Sequence, residues 1–104
     1  MASLTLKQHD NWPPLNATLS DAVGPMDLTG ATVKLILVGV TVTITGACTL
    51  VDAVNGVVRY TWANGDLAVA GDYSGEFEVT FSTGKIETFP SDSYFTLTVK
   101  ADLG

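Results

Sequence analysis

Few residues in this 104-residue chain are of types that do chemistry, and their spacing limits what each can do. His9 is the one histidine, and it stands beside Asp10 near the start of the chain. A Ser-His-Asp relay would have this histidine alone to draw on, and no Gly-x-Ser-x-Gly elbow occurs. An exposed loop histidine is the plainer reading. Cys48 is the one cysteine. It lies on the apolar side of a Thr-rich strand, where burial raises a thiol's pKa and leaves it inert. One His and one Cys are too few for zinc. Asp52, Asn55, Asp66 and Asp72 fall in or near turns and offer the oxygen ligands that calcium takes, but they follow no calcium-loop spacing. Ordinary turn-forming side chains account for them. Glu76 and Glu78 sit on one face of one strand, so they are neighbours rather than a pair flanking a glycosidic bond. No Gly-rich stretch precedes a helix, which leaves no phosphate cradle. On these grounds no catalytic, cofactor-binding or metal-binding residue is assigned.

The aromatic residues point to binding instead. Trp12 lies between polar residues and two prolines, Pro13 and Pro14. An exposed Trp-Pro-Pro loop would serve as an interface anchor, since tryptophan is enriched at hot spots. The alternative is a lid folded over the end of the core. Trp62 ends an apolar stripe and is expected to pack in the core or at a sheet end. The run Leu35-Ile36-Leu37-Val38 places apolar side chains on both faces of one strand. Leu35 and Leu37 fit the core, so Ile36 and Val38 need a cover from within the domain or from a partner. Trp12, Pro13, Pro14, Ile36 and Val38 are therefore the candidate contact residues.

Strands must position all of these. Period-two alternation dominates the chain. Leu15, Ala17 and Leu19 form one stripe, and Val33, Leu35 and Leu37 another. Val42, Ile44, Cys48 and Leu50 alternate with threonines in the cleanest pattern. Val58, Tyr60 and Trp62 follow, then Tyr73, Phe77, Val79 and Phe81, then Phe95, Leu97 and Val99. Each stripe turns one face to a core and the other outward. Turn signals separate them: Gly24-Pro25, Thr29-Gly30, Asn55-Gly56, Asn64-Gly65, Gly71-Asp72 and Thr83-Gly84. Asn55-Gly56 suits a type I′ hairpin. Asp10 to Pro14 interrupts the first strand, because two prolines cannot donate to a ladder. Tyr73 opens a late strand after a turn, as a tyrosine corner does; an ordinary buried tyrosine is the alternative. No segment carries a helical repeat. The pattern predicts an all-β fold: an immunoglobulin-like antiparallel β-sandwich of about seven strands, with residues 1–104 as a single domain.

Composition narrows the partners. Apolar residues make up 46% of the chain and charged residues only 15%, against about 25% in a typical domain. Such a surface is expected to be partly covered by a partner. The net charge is −6, and the five basic residues are scattered along the sequence. Nucleic acid and anionic membrane are therefore poor partners. A lone cysteine allows no internal disulfide, which favours assembly in a reducing cytoplasm. Met1 to Asp10 lacks a signal peptide's apolar stretch. No apolar run approaches the ~20 residues of a membrane span.

Several stretches, taken in order, form a further signature. They are Trp12-Pro13-Pro14-Leu15, then Leu28-Thr29-Gly30-Ala31-Thr32-Val33, then Gly56-Val57-Val58-Arg59-Tyr60 with Trp62-Ala63-Asn64-Gly65-Asp66. The segment Ala70-Gly71-Asp72-Tyr73-Ser74-Gly75-Glu76-Phe77-Glu78-Val79 follows, and Thr88-Phe89-Pro90 precedes a last strand. These packing and turn signatures, spread over nearly the whole chain, resemble the N-terminal domain of the phage upper-baseplate protein family. The resemblance implies a non-catalytic structural component of a phage particle. Baseplate or tail, connector, and capsid-decorating roles all fit. It implies contacts with other virion proteins, homo-oligomerisation in the particle and assembly in the host cytoplasm. Upper-baseplate proteins continue beyond this domain, whereas this sequence stops at Gly104. A carbohydrate-binding module used in host adsorption is the alternative, with Trp12, Tyr60, Trp62 or Tyr94 as stacking rings. An enzyme would need an active site shared between subunits.

Overall fold

The computed structural model describes residues 3–20, 24–89 and 95–103. Among the described residues nine strands form: β1 (Ser3–Lys7), β2 (Leu15–Thr18), β3 (Thr32–Val38), β4 (Thr43–Ala47), β5 (Thr49–Asp52), β6 (Val57–Tyr60), β7 (Gly71–Thr80), β8 (Ile86–Phe89) and β9 (Phe95–Lys100). They make two sheets. The larger runs β1-β9-β7-β3-β4, with β8 also beside β7, and the smaller runs β2-β6-β5. The all-β sandwich expected from the alternation is present, with nine strands where the turn rhythm points to about seven. Two features account for the higher count.

The first is the stretch from Val42 to Leu50, which reads as one strand. Its inward parity continues throughout, but the chain changes sheets within it. β4 pairs with β3 in the large sheet, while β5 pairs with β6 in the small one. Cys48 lies at the crossing, where its N–H donates to the Val33 carbonyl at 2.8 Å. Gly46 makes the crossing possible. A Cβ there would collide with the ring of Tyr60 on the opposite sheet, so the absent side chain lets the two sheets close.

The second feature is β7. Its first half, Gly71 to Gly75, pairs with β9, and its second half, Phe77 to Thr80, pairs with β8. One long strand thus carries two short ones in tandem along one edge, while β3 runs along the other. The expectation of antiparallel neighbours holds for every pair except β1 and β9, which are parallel. A parallel pair needs a long crossover, and the whole intervening chain supplies it.

The core lies between the sheets. Leu35, Leu37, Val58, Val79 and Leu97 have no solvent exposure, and each such side chain contributes about 1.5–3 kcal/mol by leaving water. Phe77 and Phe95 stack with centroids 5.4 Å apart. Tyr73 is buried, and its hydroxyl donates to the Val69 carbonyl four residues upstream at 2.7 Å. This is the tyrosine corner. Burial raises its pKa.

The hairpin at Asn55-Gly56 differs from expectation. Only Gly56 adopts a positive φ, whereas a type I′ turn needs both residues there. The turn is instead a four-residue loop between Asp52 and Val57. It is closed by Asn55 N–H to the Asp52 carbonyl and Gly56 N–H to the Ala53 carbonyl.

Candidate interface at the loop pole

The ends of the strands define two poles. At one pole β1, β3, β6 and β9 end and β2, β4 and β7 begin. The 8–14, 39–42, 61–70 and 101–103 segments gather there. Their backbones are tied together. Gln8 N–H donates to the Lys100 carbonyl at 2.7 Å and His9 N–H to the Leu67 carbonyl at 2.9 Å. The Gln8 amide donates to the Ala68 carbonyl. His9 is exposed, as expected, and its Nδ1 lies 3.0 Å from a carboxylate oxygen of Asp102. That pair joins the end of the first strand to the tail of the last.

Within this pole the two tryptophans have opposite environments. Trp62 is 4% exposed and Trp12 is 71% exposed. Trp62 packs edge-on against Tyr60, with ring centroids 5.2 Å apart. Its Nε1 donates to the Pro13 carbonyl at 2.9 Å. The buried ring therefore fastens the loop that carries the exposed one. Asn11 Nδ2 donates to Asn64 Oδ1 at 3.1 Å and ties the same loop to the 63–66 turn. Trp12 is thus presented on a segment held from both sides, and it does not fold back as a lid.

Asp66 organises the floor of the pole. Its Oδ2 accepts the Tyr60 hydroxyl at 2.6 Å and the Ala63 N–H at 2.9 Å. Burial, then the hydrogen bond and charge of Asp66, push the Tyr60 phenol well above its ordinary pKa. The other acidic residues weighed as calcium ligands are engaged too, Asp52 within its turn and Asp72 across the β7–β9 pair. Asp52 accepts from Asn55, and Asp72 from the Thr98 hydroxyl. Among the described residues, no three His, Cys, Asp or Glu side chains gather where they could hold a metal ion. Cys48 is half-buried, and desolvation pushes its thiol up to about 11.

Of the remaining candidate contact residues, Pro13 is exposed and Pro14 half-buried beside Trp12. Ile36 and Val38 point outward from the large sheet. Ile36 lies across from Thr45 on one side and Glu76 on the other, and is half-buried between them. Val38 is 51% exposed and reaches the pole at the end of β3. The structure thus brings Val38 to the same end as Trp12 and leaves Ile36 mid-strand. Glu76 and Glu78 share that outer face, and Glu78 lies 3.8 Å from Lys34. Sequence reasoning missed Val40, Val69 and Leu103, exposed apolar residues of the same pole. Their signal was an apolar residue outside any strand, where no stripe assigns it a face. It also missed a cleft of about 370 Å³ between the sheets, lined by Leu4, β2, Phe77, Phe89 and Phe95. Three strands cannot cover six, so the core is open at that edge.

The geometry bears on the sugar-binding alternative. Tyr60 and Trp62 are buried and packed against one another at 83°, so neither offers a flat face to a sugar. Tyr94 lies outside the described residues. Among the described residues, Trp12 alone of these rings is exposed, and no second ring lies co-facial with it.

Residues 2–103 match the BppU N-terminal domain, the first domain of the phage baseplate upper protein. The chain belongs to this family. BppU is a structural baseplate component, so this domain has a structural role in the virion, made with other virion proteins. Among solved structures it is similar to the N-terminal domain of phage TP901-1 ORF48. That match has a TM-score of 0.66 and 17% identity, over 96% of this chain and 84% of the other. It is also similar to CopC from Methylosinus trichosporium OB3b, with a TM-score of 0.58 and 14% identity over 100% and 89% of the two chains. At such identities the likeness is one of fold. No curated protein matches the sequence.

Proposed function

We propose that this BppU-type domain is a single, non-catalytic attachment module that docks onto another baseplate protein through its loop pole. Trp12 is the anchor, Pro13 and Pro14 shape its rim, and Val38 with Ile36 extends the contact along the outer face of β3. The observation that carries this reading is the exposed Trp12 on a loop held by Trp62 and Asn64. An aromatic ring on a fixed loop loses little freedom on docking, which is what an interface anchor requires. The module works as a homo-oligomer within the particle and is assembled in the host cytoplasm.

Replacing Trp12 with Ala tests the anchor. Co-assembly with the remaining baseplate proteins should weaken at least about tenfold, which a hot-spot loss of 2 kcal/mol or more exceeds. The urea midpoint of the isolated domain should stay within about 0.5 kcal/mol of the parent. Equal loss of assembly and stability would place Trp12 in the core. Light scattering after size exclusion tests the oligomer, because a closed ring or trimer requires a repeated interface.

A further inference from the structure

The chain contains two Asn-Gly pairs in turns, Asn55-Gly56 and Asn64-Gly65, and their surroundings differ in a way that decides their chemistry. In any exposed Asn-Gly pair the glycine backbone nitrogen can attack the asparagine side chain, because no glycine side chain hinders the approach. The reaction needs a free N–H, an amide nitrogen without a hydrogen-bond partner and room to rotate.

At Asn64-Gly65 all three are present. Both residues are exposed. Gly65 N–H has no partner among the described residues, and nothing lies within 4 Å of where its Cβ would stand. The Asn64 side chain is engaged only through Oδ1, which leaves its Nδ2 unbonded among the described residues. At Asn55-Gly56 all three are withheld. Gly56 N–H donates to the Ala53 carbonyl at 3.1 Å, and its carbonyl accepts from Leu19 at 2.8 Å. Gly56 is buried, and the Leu19 and Met26 carbonyls close over it. Asn55 Nδ2 is tied to Asp52 at 2.9 Å.

We propose that Asn64-Gly65 is a site of spontaneous deamidation in the folded protein, and that the fold keeps Asn55-Gly56 inert. Gly65 nitrogen gives its proton to solvent base and attacks Asn64 Cγ. The N–Cγ bond forms, the Cγ–Nδ2 bond breaks, and the amide nitrogen takes up a proton and leaves as ammonia. Water then opens the resulting succinimide at either carbonyl, yielding aspartate or isoaspartate. Nothing is oxidised or reduced.

The product falls at a sensitive place. Isoaspartate lengthens the backbone of the 63–66 turn, which Ala63 and Asp66 close by two hydrogen bonds and which positions Asp66 against Tyr60. It also sets a new carboxylate beside Asn11, one residue from Trp12.

Peptide mapping by mass spectrometry, with isoaspartate detection, tests this on the folded protein held in mildly alkaline buffer. The Asn64 peptide should convert at least about tenfold faster than the Asn55 peptide, which must wait for local opening of its turn. In denaturing urea the two rates should converge. Equal rates in the folded protein, or faster conversion at Asn55, would overturn the proposal. Asn64→Gln should abolish the fast phase of ammonia release, and its persistence would locate the source elsewhere.

Discussion

Trp12 and Trp62 lie on adjoining segments of one pole and do opposite work. Trp62 buries its ring against Tyr60 and spends its single N–H on the Pro13 carbonyl. Trp12, one residue before that carbonyl, faces solvent. The difference is not one of residue type but of what surrounds each ring. A buried tryptophan needs a partner for its N–H, and Trp62 finds one in the loop it supports. The interior of the pole therefore determines the geometry of its surface.

This comparison can be broken or sharpened experimentally. Trp62→Ala should have the largest effect, a loss of about 3–5 kcal/mol in urea unfolding, because it removes a buried ring and releases the Pro13 loop. A loss below 1 kcal/mol would show that the loop stands without its buried support. Alkaline pH attacks the same floor more gently. Tyr60 has a folded pKa raised above the ordinary 10.0, so the folded state holds its proton more tightly than the unfolded chain does. Its contribution is full below pH ~10 and is lost as pH rises through the folded value. Stability should therefore fall on the alkaline side, and Tyr60→Phe should flatten that fall in a pH series of urea midpoints. Tyr73→Phe should cost about 1 kcal/mol by leaving the Val69 carbonyl without its donor. Trp12→Ala should come last in stability and first in assembly. That reversal of rank is what separates the rim of the pole from its floor.

Much of the fold was legible in the residues. The stripes at Val33, Leu35 and Leu37 and at Phe95, Leu97 and Val99 are buried as their alternation requires. The Tyr73 corner was readable from a tyrosine opening a strand after a turn. The turn role of Asp66 was readable too, but its partner Tyr60 was not. The break between β4 and β5 was invisible, because inward parity runs unbroken from Ile44 to Leu50 while the hydrogen-bonding partner changes. Gly46 was the one available signal, and it gains meaning only against the ring of Tyr60. The candidate site was half legible. Of the apolar residues at this pole, Trp12, its two prolines and Val38 were named from the sequence, whereas Val40, Val69 and Leu103 were not, since segments outside the strands have no period to betray which way they face.

By itself the sequence determined which face of each strand meets the core, because side chains alternate strictly along an extended chain and apolar ones avoid water. It also determined where the chain turns, through glycine, asparagine and proline. Only the tertiary structure decided which strands pair, that β1 joins β9 in parallel, and which tryptophan is buried. It also decided which of two identical Asn-Gly pairs is chemically free. These outcomes depend on partners tens of residues away, and alternation carries no record of which strand will supply the next hydrogen bond.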